Sequence, residues 1–79
     1  MVEAYILMKV KVGSERKVIE NLNKLKELND VNELYGDWDI IVKVKVEKIE
    51  ELDALLTEKI RNITDIEVTS TMVVANYIR

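Results

Sequence analysis

The sequence predicts an α+β domain of order βαββαβ: a four-stranded antiparallel sheet covered on one face by two helices. Two observations carry this prediction. First, the stretch Tyr5-Ile6-Leu7-Met8-Lys9-Val10-Lys11-Val12 returns about 34 residues later as Asp39-Ile40-Ile41-Val42-Lys43-Val44-Lys45-Val46. Second, each copy leads into a charged segment whose apolar residues recur at helical spacing, so one supersecondary unit is written twice. Right-handed crossovers in both βαβ halves place strands one and three at the centre, the ferredoxin-like arrangement. With 79 residues and no Pro- or Gly-rich linker, residues 1–79 read as a single domain.

The elements follow in order. From Val2 to Val12 every even position is apolar, the period of a strand with one face in the core. Gly13-Ser14 breaks that strand, and Ser14 is the expected N-cap of a helix carrying Val18, Ile19, Leu22, Leu25 and Leu28. Asn29 is the expected left-handed residue that ends it. A short strand, Val31 to Tyr35, then turns at Gly36-Asp37 into a returning strand with Ile40, Val42, Val44 and Val46 inward. The second helix buries Ile49, Leu52, Leu55, Leu56, Ile60 and Ile63. Its charges suit the helix dipole, with Glu47, Glu50 and Glu51 at its start and Lys59 and Arg61 at its end. In the last strand Ile66, Val68, Ser70, Met72 and Val74 are expected inward and Glu67, Thr69, Thr71 and Val73 outward. Asn76 to Arg79 reads as a short tail. The uncovered face would then carry Tyr5, Leu7, Ile41, Thr69, Thr71 and Val73, too apolar a patch to remain wet.

Composition narrows the function. A domain this small buries only about 60–65% of the surface its unfolded chain exposes, so its own core is marginal. With no cysteine and no histidine, neither disulfides nor zinc can reinforce it, which leaves oligomerisation. The expected interface is the open face, through Tyr5, Leu7, Ile41 and Val73, with Trp38 as an aromatic anchor or a ligand wall. The absence of His and Cys also removes Ser-His-Asp and Cys-His catalysis. No catalytic residue, metal or cofactor is expected: Asp37 and Asp39 read as turn and strand-end chemistry, and no Gly-rich phosphate loop surrounds Gly36. A net charge of −3 argues against autonomous binding to DNA. No apolar run approaches the roughly 20 residues of a membrane span, and the first strand begins at once, leaving no room for a signal peptide; a cytoplasmic location is expected. Lys9, Lys11, Lys43 and Lys45 form a basic spot on the open face, read as an anion site, as partners for Glu3, Glu33 or Glu67 of another subunit, or simply as charges that keep the sheet soluble.

The segment Tyr35-Gly36-Asp37-Trp38-Asp39-Ile40-Ile41-Val42-Lys43-Val44, preceded by Asp30-Val31 and followed by helix two and Ile66-Glu67-Val68-Thr69-Ser70-Thr71, resembles the effector-binding domain of Lrp/AsnC transcription regulators. The resemblance covers essentially the whole chain and departs from the family pattern at Asp65, where a glycine is usual. No helix-turn-helix lies in these residues, so the likeness is to a stand-alone version of the domain. It implies dimers formed face to face through their sheets, rings of eight or ten subunits, and an amino acid effector held between dimers. The implied ligand residues are Gly36, Asp37 and Asp39 of the hairpin, with Asp39 receiving the ammonium, and Thr69 and Thr71 of the last strand, holding the carboxylate. Asp53 and Thr57 on helix two are either sensors of the ligand side chain or plain solvated helix residues. The expected function is an amino-acid sensor that modulates a full-length Lrp/AsnC regulator by co-assembly. The alternatives are a dimeric ferredoxin-like barrel enzyme and a purely structural assembly domain.

Overall fold

Alternation along the first strand puts Ala4, Ile6, Met8 and Val10 on one side, and these four are buried in the computed structural model, which describes residues 1–79. Strand β1 (Val2–Val10) is followed by α1 (Glu15–Leu22), β2 (Leu28–Glu33), β3 (Ile40–Val46), α2 (Ile49–Ala54) and β4 (Ile66–Val73). The sheet order is β2-β3-β1-β4, with every neighbouring pair antiparallel. The expected βαββαβ fold with β1 and β3 central is therefore what the chain adopts. Val18 and Leu22 of α1 and Leu52, Leu55 and Ile60 of the second helix close over one face of the sheet.

Several boundaries differ from the expectation. β1 ends at Val10, and Val12 is 92% exposed. Helix α1 stops at Leu22 rather than Leu28, because Asn23 to Glu27 form turns and Leu28 already pairs with Val44 in β2. Asn29 is not a left-handed helix terminus. It is the extra residue of a bulge in β2, and its side-chain oxygen accepts the Lys45 N–H at 2.8 Å. Ser14 flanks α1 but makes no capping bond; its hydroxyl donates to the Asp65 carboxylate at 3.0 Å. The second helix is not uniformly α. After Ala54 it widens into a π-helical turn over Leu55–Ile60, with Arg61 N–H donating to the Leu56 carbonyl five residues back at 3.0 Å.

The register of β4 is the largest correction. Ile66 faces the core opposite Val10, but Lys9 then faces Val68, so Glu67 is an inserted bulge residue. Beyond it Thr69, Thr71 and Val73 pair with Met8, Ile6 and Ala4 and share their face, the side covered by the helices. Residues Val68, Ser70 and Met72 take the open face instead. One unpaired residue inverts everything that follows it in a period-2 strand.

Asp65 precedes this strand with a φ of 76°, the one non-glycine residue in the left-handed region. An aspartate tolerates that backbone better than most residues. Here its carbonyl accepts Lys11 N–H at 2.9 Å, and its carboxylate takes the Ser14 hydroxyl and approaches Lys17 Nζ at 3.9 Å. Only 13 of the 79 residues are buried, so the core is thin. On the open face Tyr5, Leu7 and Ile41 are half-buried and Val68 and Met72 exposed. No helix is long and apolar enough to cross a membrane.

Candidate functional site

The bulge in β4 and the π-helical turn face each other, and between them lies an open cavity of about 290 Å³. Leu56, Ile60 and Ile66 form its apolar wall, and Val68, whose side chain takes the open face, borders it from the strand. Thr57 enters from the helix and Thr69 and Thr71 from the strand, so three hydroxyl-bearing side chains line one space. Each threonine has a physical reason to be there. Thr57 sits in the widened turn, where its hydroxyl donates to the Asp53 carbonyl at 2.9 Å. Thr69 and Thr71 reach the helix side only because Glu67 has shifted the strand's parity. Arg61 and Glu67 complete the lining.

The predicted ligand residues separate into two groups. Thr57, Thr69 and Thr71 meet at the cavity, whereas Asp53, one turn earlier on the helix, is exposed and outside its lining. Gly36, Asp37 and Asp39 lie in the β2–β3 hairpin, which Leu34 N–H closes onto the Asp39 carbonyl at 2.8 Å. Gly36 has a φ of 137°, which L residues rarely adopt, so glycine is required there for the turn itself. Asp37 is exposed. Asp39 is laced to β1: its N–H donates to the Met8 carbonyl and its Oδ2 accepts Val10 N–H, each at 2.9 Å. The row Ile40–Met8–Thr69 places hairpin and cavity at the same end of the sheet, two strand spacings or about 10 Å apart. Asp37 and Asp39 gather no third acidic group into a metal-holding cluster.

Of the expected interface residues, Tyr5, Leu7 and Ile41 share the open face, but Val73 lies on the helix side of β4 through the same bulge. Trp38 is half-buried beside the hairpin, with Lys9 Nζ 5.3 Å from its ring centroid. Lys43 does not await another subunit's acid. It pairs within the chain with Glu3 at 3.1 Å, and the Tyr77 hydroxyl donates to the same carboxylate at 3.0 Å. Glu3 is only 6% exposed. Burial pushes its carboxyl up, but the hydrogen bonds from Lys43 and Tyr77, with Lys45 nearby, outweigh that and hold it below its ordinary value. The bond to Glu3 raises the Lys43 ammonium, and burial followed by the Glu3 carboxylate raises the Tyr77 phenol.

Sequence reasoning did not single out Arg61 and Glu67 as cavity residues. The i,i+4 spacing of Thr57 and Arg61 was a readable signal of a shared helix face. Glu67 had none, because an inserted residue leaves no mark in an alternating pattern.

Known proteins share this sequence pattern and fold. Residues 3–78 match the Lrp/AsnC ligand binding domain. The HTH-type transcriptional regulator FL11 of Pyrococcus abyssi is 42% identical over 71 residues, which cover 90% of this chain and 46% of that protein. The chain thus spans about half the length of the curated relatives it matches. The crystal structure of hypothetical protein PHS023 from Pyrococcus horikoshii superposes with a TM-score of 0.88 at 41% identity, covering 99% of this chain and 94% of that one. AsnC of E. coli superposes at 0.92 with 25% identity, covering 99% of this chain and 53% of that one. FL11 is by name a transcriptional regulator, and the chain belongs to the Lrp/AsnC family, as its ligand-binding domain.

Proposed function

We propose that this chain is an oligomeric amino-acid sensor of the cytoplasm. Copies pair through the open sheet faces around Tyr5, Leu7 and Ile41, and dimers assemble into rings of eight or ten. An amino acid lodges beside the second helix and β4, where dimers meet, and co-assembly with a full-length Lrp/AsnC regulator passes the bound state on. The observation that carries this reading is the convergence of Thr57, Thr69 and Thr71 on one cavity in a chain that matches a ligand-binding family. A thin core beside an apolar sheet face supports the assembly half of it.

The test is a thermal-shift screen against the twenty amino acids, run with light scattering. A ligand that binds only the folded state adds RT ln(1 + [L]/Kd), about 2.7 kcal/mol at 100-fold saturation, which is a visible shift. At least one amino acid is expected to raise the midpoint, and light scattering to report an assembly. If none binds at millimolar concentration, the domain is an assembly module alone. Leu7→Glu puts a carboxylate in the open face and is expected to yield monomers or unfolded chains; a well-folded wild-type monomer at micromolar concentration removes the assembly claim. With a net charge of −3, fluorescence anisotropy is expected to find no tight, salt-dependent DNA binding by the chain alone.

A further inference from the structure

Resting on the pairing of open faces proposed above, we infer that the C-terminal tail is a working part of that face. Tyr77 and Lys43 cap the two oxygens of Glu3 and turn its carboxylate into a neutral, fully bonded spot that a second copy can cover.

The first ground is the position of the charge. Glu3, Tyr5, Leu7 and Lys9 project from β1 to the open side, and Ile41, Lys43 and Lys45 project beside them from β3. Glu3 is thus the only acidic side chain that the two central strands send to this face; Asp30 reaches it from the edge strand, opposite Lys43. Lys43 Nζ meets Oε2 of Glu3 at 3.1 Å, and the Tyr77 hydroxyl donates to Oε1 at 3.0 Å, so each oxygen has its own donor. Glu3 and Lys43 together carry no net charge, and no buried side-chain polar atom of the chain lacks a partner. A carboxylate covered by another subunit loses the water that solvates it, and taking one donor from a buried charge is strongly unfavourable.

The second ground is the path of the tail. β4 ends at Val73, and Val74 N–H donates to the Glu3 carbonyl at 2.8 Å, so the chain leaves the sheet edge directly beside Glu3. Ala75 to Arg79 are exposed, and the Tyr77 hydroxyl makes the side-chain bond that ties them back to the sheet. With its polar end held by Glu3, the Tyr77 ring remains 67% exposed, next to Ile78 at 89%. Val68 and Met72, exposed on the open side of β4, extend the same apolar surface. Tyrosine with a bonded hydroxyl and an uncovered ring is a side chain enriched where proteins meet. In a free chain, water can stand in for the Tyr77 hydroxyl. Under a second sheet it cannot, so the clasp matters little to one copy and much to the pair.

The experiment is exchange between isotope-labelled and unlabelled copies of the whole chain, followed by native mass spectrometry. Dimers with one copy of each kind form only after a pair of open faces separates, so their rate of appearance reads the interface. Tyr77→Phe keeps the ring and deletes the hydroxyl, and is expected to speed exchange by about 10- to 150-fold, the worth of one hydrogen bond to a charged group. Its circular dichroism spectrum should stay that of wild type, because the ring is largely exposed. In a chain carrying Glu3→Leu and Lys43→Met no carboxylate needs capping, and adding Tyr77→Phe there should change the rate by less than about twofold. The inference is overturned if Tyr77→Phe exchanges at the wild-type rate. It is overturned equally if exchange slows, which would make the tail an obstacle to pairing, or if it speeds up as much in the apolar background, which would assign the effect to something other than Glu3. A wild type that shows only the mass of a single copy removes the pairing reading and this inference with it; a paired wild type with an unresponsive Tyr77→Phe removes this inference alone.

Discussion

The two halves of the duplication make the same unit and use it differently. Each half runs strand, helix, edge strand, and each edge strand carries a bulge at the corresponding position, Asn29 before Asp30 in β2 and Glu67 before Val68 in β4. In the first half the bulge is closed from within, because the Asn29 side chain accepts Lys45 N–H and α1 is a regular helix. In the second half the bulge residue is a glutamate with no partner in the chain, and the facing helix widens into a π-helical turn. The same backbone device therefore serves as a joint in one half and as the wall of a cavity in the other. What differs is the side chain at the bulge and the regularity of the helix over it.

Packing is where this contrast should appear most strongly. Leu22 of α1 is fully buried, and Ile60 is buried beside the cavity. Leu22→Ala is expected to cost about 2–5 kcal/mol in urea unfolding at fixed protein concentration, with Ile60→Ala at the bottom of that range because solvent already reaches its neighbourhood. Equal losses would mean that the second half is as tightly closed as the first.

The turn that joins the halves, at Gly36, and the turn into β4, at Asp65, come next. Gly36→Val is expected to cost about 1–3 kcal/mol, since a β-branched residue must hold a φ of 137° although open space surrounds its Cβ position. Asp65→Gly relieves the left-handed backbone but loses the Ser14 and Lys17 contacts, so its net effect should fall within about 1 kcal/mol of zero. Thermal denaturation of the two variants separates turn strain from contact loss.

A smaller difference should separate the two bulges. Asn29→Ala leaves Lys45 N–H to solvent and is expected to cost about 0.5–1.5 kcal/mol, whereas Glu67→Ala should remain within about 0.5 kcal/mol of wild type. If Glu67→Ala is the more destabilising of the two, the open bulge has a structural duty and the contrast fails.

The mildest effect is acid dependence. The Lys43 and Tyr77 bonds set the Glu3 carboxyl below its ordinary 4.5 despite burial, and the Lys59 bond lowers Glu27 in the same direction. The ionised forms therefore favour the fold. Their contribution is complete above about pH 4.5 and is lost as the pH falls through the lowered values. Glu3→Gln should flatten the acid limb of the stability–pH curve; Glu27→Gln, removing an exposed pair, should flatten it less.

The sequence by itself determined the fold class, the central strands and nearly all of the core. Period-2 runs such as Ala4-Ile6-Met8-Val10 and Ile40-Val42-Val44, and the stripe Leu52-Leu55-Ile60, are local patterns that only one face of one element can satisfy. It also marked Gly36, because a positive φ leaves a residue-type signature, and the lack of His and Cys bounded the chemistry. Tertiary structure alone decided which way Thr69, Thr71 and Val73 face, that Arg61 and Glu67 share a cavity with Thr57, and that Glu3 finds Lys43 and Tyr77. The reason is physical: a bulge or a widened helical turn shifts the hydrogen-bond register by one residue without changing composition or local propensity. Its position is selected by the strand or helix packed against it, which no single segment of sequence encodes.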